Sequence, residues 1–129
     1  MALGKIKVDT LEHSTAGSLD TQYVVNGSAK VWCHFNTSSS TSIRESFNIS
    51  SLTDNAVGVT TPVFTSAMTN DDHIAVAGTS DISWGGVVTL YYDNGVTSSQ
   101  HRLRTASNLN PTANSDCPHV YITINGDLA

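Results

Sequence analysis

Asn26-Gly-Ser-Ala-Lys-Val-Trp-Cys-His-Phe-Asn36 is the stretch whose reading decides the fold class. An Asn-Gly turn signal runs straight into a segment in which Val31, Cys33 and Phe35 alternate with Trp32, His34 and Asn36. Successive side chains leave a β-strand on opposite sides, so the first three turn toward a core and the second three away from it. Cys33 shares the parity of Val31 and Phe35 and reads as a small core hydrophobe.

Outward from this strand the chain continues as short segments of the same kind. Strands are predicted over 29–36, 42–47, 56–60, 63–68, 73–77, 86–92, 101–105 and 119–125, with turn chemistry between them. Asp93-Asn94-Gly95 is a tight-turn signal, because Gly accepts the positive φ of a type I′ turn. Residues 38–41 and 105–115 read as mobile loops by composition. The pattern predicts an all-β fold: an antiparallel β-sandwich, a jelly-roll-like knob, over residues 26–129. Residues 1–25 are more charged and lack this rhythm. They are expected to form an extended anchoring arm that ends in a strand over 22–25, with Ile6, Val8 and Leu11 as its anchoring side chains.

Composition narrows the function. The chain has 129 residues and a formal net charge of −5, and only 13% of its residues are charged. Ser and Thr make up about a quarter of it. Its six Lys and Arg residues are scattered, so the basic stripe that releases phosphate counterions is missing and nucleic acid is not an expected partner. No apolar run approaches the ~20 residues of a membrane span. The first residues lack the apolar core of a signal peptide, which predicts assembly in a cytoplasm. Two distant cysteines, Cys33 and Cys117, make no disulfide framework, and no CxxC or HxxxH spacing offers a metal site.

Catalysis finds no foothold in the motifs. The five histidines (His13, His34, His73, His101 and His119) stand at no motif spacing from a carboxylate or a nucleophile. Nucleophile elbows, metalloprotease helices and phosphate-cradling loops are all missing, so no enzyme activity and no cofactor are expected. Asn70-Asp-Asp-His73 lacks the regular oxygen spacing of a calcium loop and reads as a capped turn. Aromatic faces stack on sugar rings, and Trp84, Tyr91 and Tyr92 are the candidate ligand or host contacts. Trp84 sits in Asp81-Ile-Ser-Trp-Gly-Gly86, where the glycines slim the backbone around it. Trp32 and His34, turned outward, are candidate subunit-interface residues.

Gly27-Ser-Ala-Lys-Val-Trp32, Arg44-Glu-Ser-Phe-Asn48 and Ser51-Leu-Thr-Asp-Asn55 also carry a resemblance. With the apolar strand Val120-Tyr-Ile-Thr-Ile-Asn-Gly126, this order of blocks resembles small tail-fibre-type virion structural proteins of marine tailed bacteriophages. The likeness runs over most of the chain and is weakest over 79–115, where partner-specific loops would lie. It implies a homotrimer with β-rich knobs, localised to the virion and joined to other phage proteins through the N-terminal arm, with host-surface glycan as a further partner. It brings no catalytic residues. A tail position and a head-decorating position stay open. A free carbohydrate-binding module is the alternative from another class; it would account for the aromatics but not for the arm.

Overall fold

The computed structural model describes residues 7–80, 86–90, 95–107 and 110–129. Strands dominate them, and the sheets are antiparallel. A hairpin of β1 (Thr10–His13) and β2 (Gly17–Asp20) comes first, followed by one short helix, α1 (Thr21–Gly27). Then come β3 (Val31–Asn36), β4 (Ser42–Phe47), β5 (Ile49–Ala56), β6 (Val59–Phe64), β7 (Ile74–Ser80) and β8 (Gly86–Leu90). The chain closes with β9 (Val96–Thr97), β10 (Gln100–His101), β11 (Leu103–Ser107), β12 (Asn110–Asn114) and β13 (His119–Asn125).

One sheet has four strands in the order β4-β3-β13-β7. The other is built on β6, which pairs with β5 along one edge and with β10 and β11 along the other; β8, β9 and β12 extend it. Both sheets feed one core. Val31, Cys33 and Phe35 of β3 and Val120, Ile122 and Ile124 of β13 join Phe64, Met68, Leu103 and Cys117, all buried. The strict alternation along β3 and β13 is what a sheet with one covered face requires, and the expected all-β sandwich is consistent with it. Neighbours in sequence pair as hairpins, β3 with β4 and β5 with β6.

Three predicted segments come out differently. Residues 22–25 are helical, because Tyr23, Val24 and Val25 belong to α1 and do not extend the arm as a strand. The predicted strand over 56–60 is split between two strands: β5 ends at Ala56, Val57 and Gly58 reverse the chain, and β6 begins at Val59. Residues 105–115 hold the end of β11 and all of β12 in place of a loop. The tip at 38–41 is tied down by Asn36, whose side chain donates to the Ser38 and Ser40 carbonyls and accepts from the Ser38 amide. Asp93-Asn94-Gly95 lies mostly outside the described residues; Gly95 itself is buried.

Candidate interaction surface

Three residues of the sequence blocks quoted above, Lys30, Asn48 and Asn55, fasten chain reversals. Lys30 is buried, and its ammonium donates to the Val25 and Ser28 carbonyls and to Ser28 Oγ at 2.6 Å, closing the C-terminal end of α1. Asn48 sits at φ 58° between β4 and β5, a conformation Asn tolerates better than most residues. Its side chain donates to the Lys30 and Ser66 carbonyls and accepts from the Ser66 amide at 2.7 Å. Asn55 Oδ1 accepts from Thr61 Oγ1 at 2.6 Å across the β5–β6 hairpin. These side chains set chain reversals and carry no chemistry of their own.

The outer face of the four-stranded sheet is different. Register places Phe47, Trp32, Thr123 and Val76 in one row across β4, β3, β13 and β7. Glu45, His34, Tyr121 and Gly78 form the next row. Ile74 follows Val76 on the same side of β7, opposite Asn125. Phe47 is 52% exposed, Val76 62% and Ile74 70%, while Trp32 and Tyr121 also stand open. Apolar side chains this exposed, contiguous over four strands, form the kind of patch that marks an interaction site on a soluble domain. Trp32 and His34 therefore lie together on this face, as the strand pattern predicted. Tyr121, one of the aromatics a sugar-binding surface would use, belongs to it as well; Phe47, Ile74 and Val76 join it unforeseen, because the row exists only once the register is known.

An aromatic stack lies within the face. His34 stacks on Tyr121 with ring centroids 4.5 Å apart, and His34 Nε2 lies 3.1 Å from His119 Nδ1. Burial, the Arg44 cation and His119 together hold the His34 pKa below its ordinary value, against the pull of Glu45.

A second histidine pair is internal. His73 Nε2 and His101 Nδ1 are 2.8 Å apart, and the two far nitrogens, His73 Nδ1 and His101 Nε2, are buried without a hydrogen-bond partner. Burial, with His73 next to it, pushes His101 down to about 4. Burial lowers His73 as well, opposed by the Asn70 backbone and the Asp71 carboxylate. Asn70 Oδ1 accepts from the Asp72 amide at 3.0 Å, the capped turn read from the sequence.

The unfolded chain binds a proton on His101 near the ordinary pH 6.5, whereas the folded chain resists until about pH 4. Stability is therefore full above pH 6.5 and falls progressively as pH drops from 6.5 toward 4. At about 1.4 kcal/mol per pH unit, roughly 2 kcal/mol is gone by pH 5. Melting curves of wild type should show this loss, and His101→Gln should flatten it between pH 7 and 5. Equal wild-type stability at pH 7.5 and pH 5 would contradict the assignment.

The N-terminal segment, expected as an extended arm, is instead a hairpin followed by helix α1, because Thr10–His13 pairs back on Gly17–Asp20, and it is the other open surface. Among its described side chains none is buried, and Val8, Leu11, Leu19, Tyr23, Val24 and Val25 are all exposed. Leu11 and Leu19 are cross-strand partners, and Val8, Leu11, Val24 and Val25 line a cleft between hairpin and helix. Ile6, Trp84, Tyr91 and Tyr92, the remaining residues singled out from the sequence, lie outside the described residues. Among the described residues no group of three or more His, Cys, Asp or Glu side chains could hold a metal ion, and no helix is long and apolar enough to cross a membrane. No protein-family model, curated protein or solved structure matches the chain.

Proposed function

We propose that this chain is a structural protein of a bacteriophage virion, a tail-fibre or spike-like component that assembles as a homotrimer. The observation that carries the reading is the pair of unpartnered apolar surfaces, the outer sheet face and the arm, on one small domain. A free monomer would leave both in water, whereas a particle component has neighbours to cover them. The order of blocks from Gly27 to Asn55 supports the phage assignment. In this reading the sandwich is displayed, residues 1–25 join it to other virion proteins, and 79–115, with Trp84, Tyr91 and Tyr92, is the region offered to a host-surface glycan.

Electron microscopy of intact particles labelled with an antibody to the chain tests it. Label at the fibres or tail tip is the expected outcome, and label over the head would select the decorating role. Particles with no label, from a lysate that contains the protein, would remove the virion reading. Arm-deleted protein should fold and stay off particles, while Trp84→Ala should join particles normally and reduce adsorption to host cells. Wild-type occupancy by arm-deleted protein would move the anchor to the sandwich.

A further inference from the structure

We propose that the two open surfaces cover each other between copies: the N-terminal hairpin and helix of one chain dock on the outer sheet face of the next. This rests on the reading of a self-assembling component and refines it: the arm's apolar side is covered by the next copy, so other virion proteins meet the assembled oligomer and not the free arm.

The arm buries none of its described side chains. A lone two-stranded hairpin is marginal in water, and so is a helix well short of ~12 residues. Helix α1 has seven residues, no buried side chain and no side-chain N-cap bond. Among the described residues, hairpin and helix are tied at one corner, where the Thr21 amide donates to the Asp9 carbonyl at 2.9 Å and Thr21 Oγ1 donates to the Val8 carbonyl at 2.8 Å. Such a module gains its missing burial from a partner.

The sheet face offers a match. At the ~150–250 Å² of a large apolar side chain, the open fractions of Phe47, Trp32, Ile74, Val76 and Tyr121 amount to roughly 500 Å², and those of the arm to about the same. Together they supply about 1,000 Å² of apolar area before backbone and polar neighbours are counted, which reaches the ~1,000 Å² that separates specific interfaces from casual contacts. The arm presents a cleft lined by Val8, Leu11, Val24 and Val25, and the face presents the projecting aromatic pair Trp32 and Phe47. Arm onto face is a head-to-tail contact, so each copy gives one surface and receives the other. Such contacts either close into a ring or grow into an open filament. Closure at three copies is the arrangement the proposed trimer requires.

The test needs only purified full-length protein. Light scattering on a sizing column should find wild type as a closed multiple of the 13.7 kDa chain. Leu11→Glu/Leu19→Glu, on the arm, and Val76→Glu, on the face, should each give monomers with wild-type circular dichroism. Ile74→Lys is the second face variant, should Val76→Glu not fold. Each class keeps one surface intact, so mixing an arm variant with a face variant should give a species of twice the chain mass. Three results would overturn the docking: monomeric wild type at 100 µM, an arm variant that stays oligomeric while the face variant does not, or mixed variants that stay monomeric. Monomeric wild type would also remove the homotrimer, whereas the virion assignment itself stands or falls on labelled particles.

Discussion

Gly58→Ala is expected to lower the melting temperature by about 10 °C, a loss of roughly 2–4 kcal/mol from strain and overpacking together. Gly58 turns β5 into β6 at φ +63°, where a side chain is disfavoured. A Cβ there would stand 2.5 Å from the Thr105 carbonyl oxygen and 2.7 Å from the Ser115 amide nitrogen. Both are backbone atoms, one in β11 and one just after β12, so no side-chain rotation relieves the clash. The same turn is held on both sides: the Gly58 amide donates to Asp116 Oδ1 at 2.7 Å, and its carbonyl accepts from the Thr105 amide at 2.8 Å. Moving the turn to make room breaks that pair of bonds. Val57→Ala, one residue earlier and exposed, is the control and should change stability by less than about 0.5 kcal/mol. Thermal melts of the two variants side by side check the claim, and equal melting temperatures would refute it.

Cys33→Asp should prevent folding, while Cys33→Val should be tolerated within about 1.5 kcal/mol. Cys33 lies in the shared core with Val31, Phe35 and Ile122, and burial pushes its thiol up to about 11. A carboxylate at this position would have no cation in the core cluster to pair with, and an uncompensated buried charge costs about 3–5 kcal/mol, a large share of a domain's stability. Urea titration followed by tryptophan fluorescence reads both variants. The native thiol should also react slowly with a bulky disulfide reagent, being buried and protonated at neutral pH. Rapid modification of folded protein would show that the core is not closed around it.

These two residues differ in how legible they were. The burial of Cys33 follows from parity alone, as do the inward faces of β3 and β13, because each strand has a single covered face and the period-two pattern is strict. The role of Gly58 could not be read. Ile49-Ser-Ser-Leu-Thr-Asp-Asn-Ala56 is a bulged strand at a sheet margin, and only Ile49 and Leu52 along it are even half-buried. Without alternation its pairing partner stayed hidden, and the turn was taken for strand. The helix at Tyr23-Val-Val25 was missed for a related reason. β-branched residues favour strands, but here Lys30 draws the preceding carbonyls into a helical end. The interaction face was half visible. Trp32 and His34 pointed outward by parity, whereas Phe47, Val76 and Tyr121 join them only through hydrogen-bond register between distant segments. The His73–His101 pair needs the same knowledge of which strands meet.

The central position of β13 has a consequence for how the chain is made. β3 and β7 flank it, and neither pairs with the other, so their shared sheet has no middle until residues 119–125 leave the ribosome. At ~5–20 residues per second, β3 waits on the order of 5–20 s with Val31, Cys33 and Phe35 uncovered. Synthesis is therefore the period of greatest exposure to misassociation. A ribosome stalled before His119 would hold a chain with two open sheet margins, a substrate for chaperones or for another nascent copy on the same message. Slow codons placed early in the gene would lengthen nothing critical, but a pause between the codons for Asn36 and His119 should lower the soluble yield.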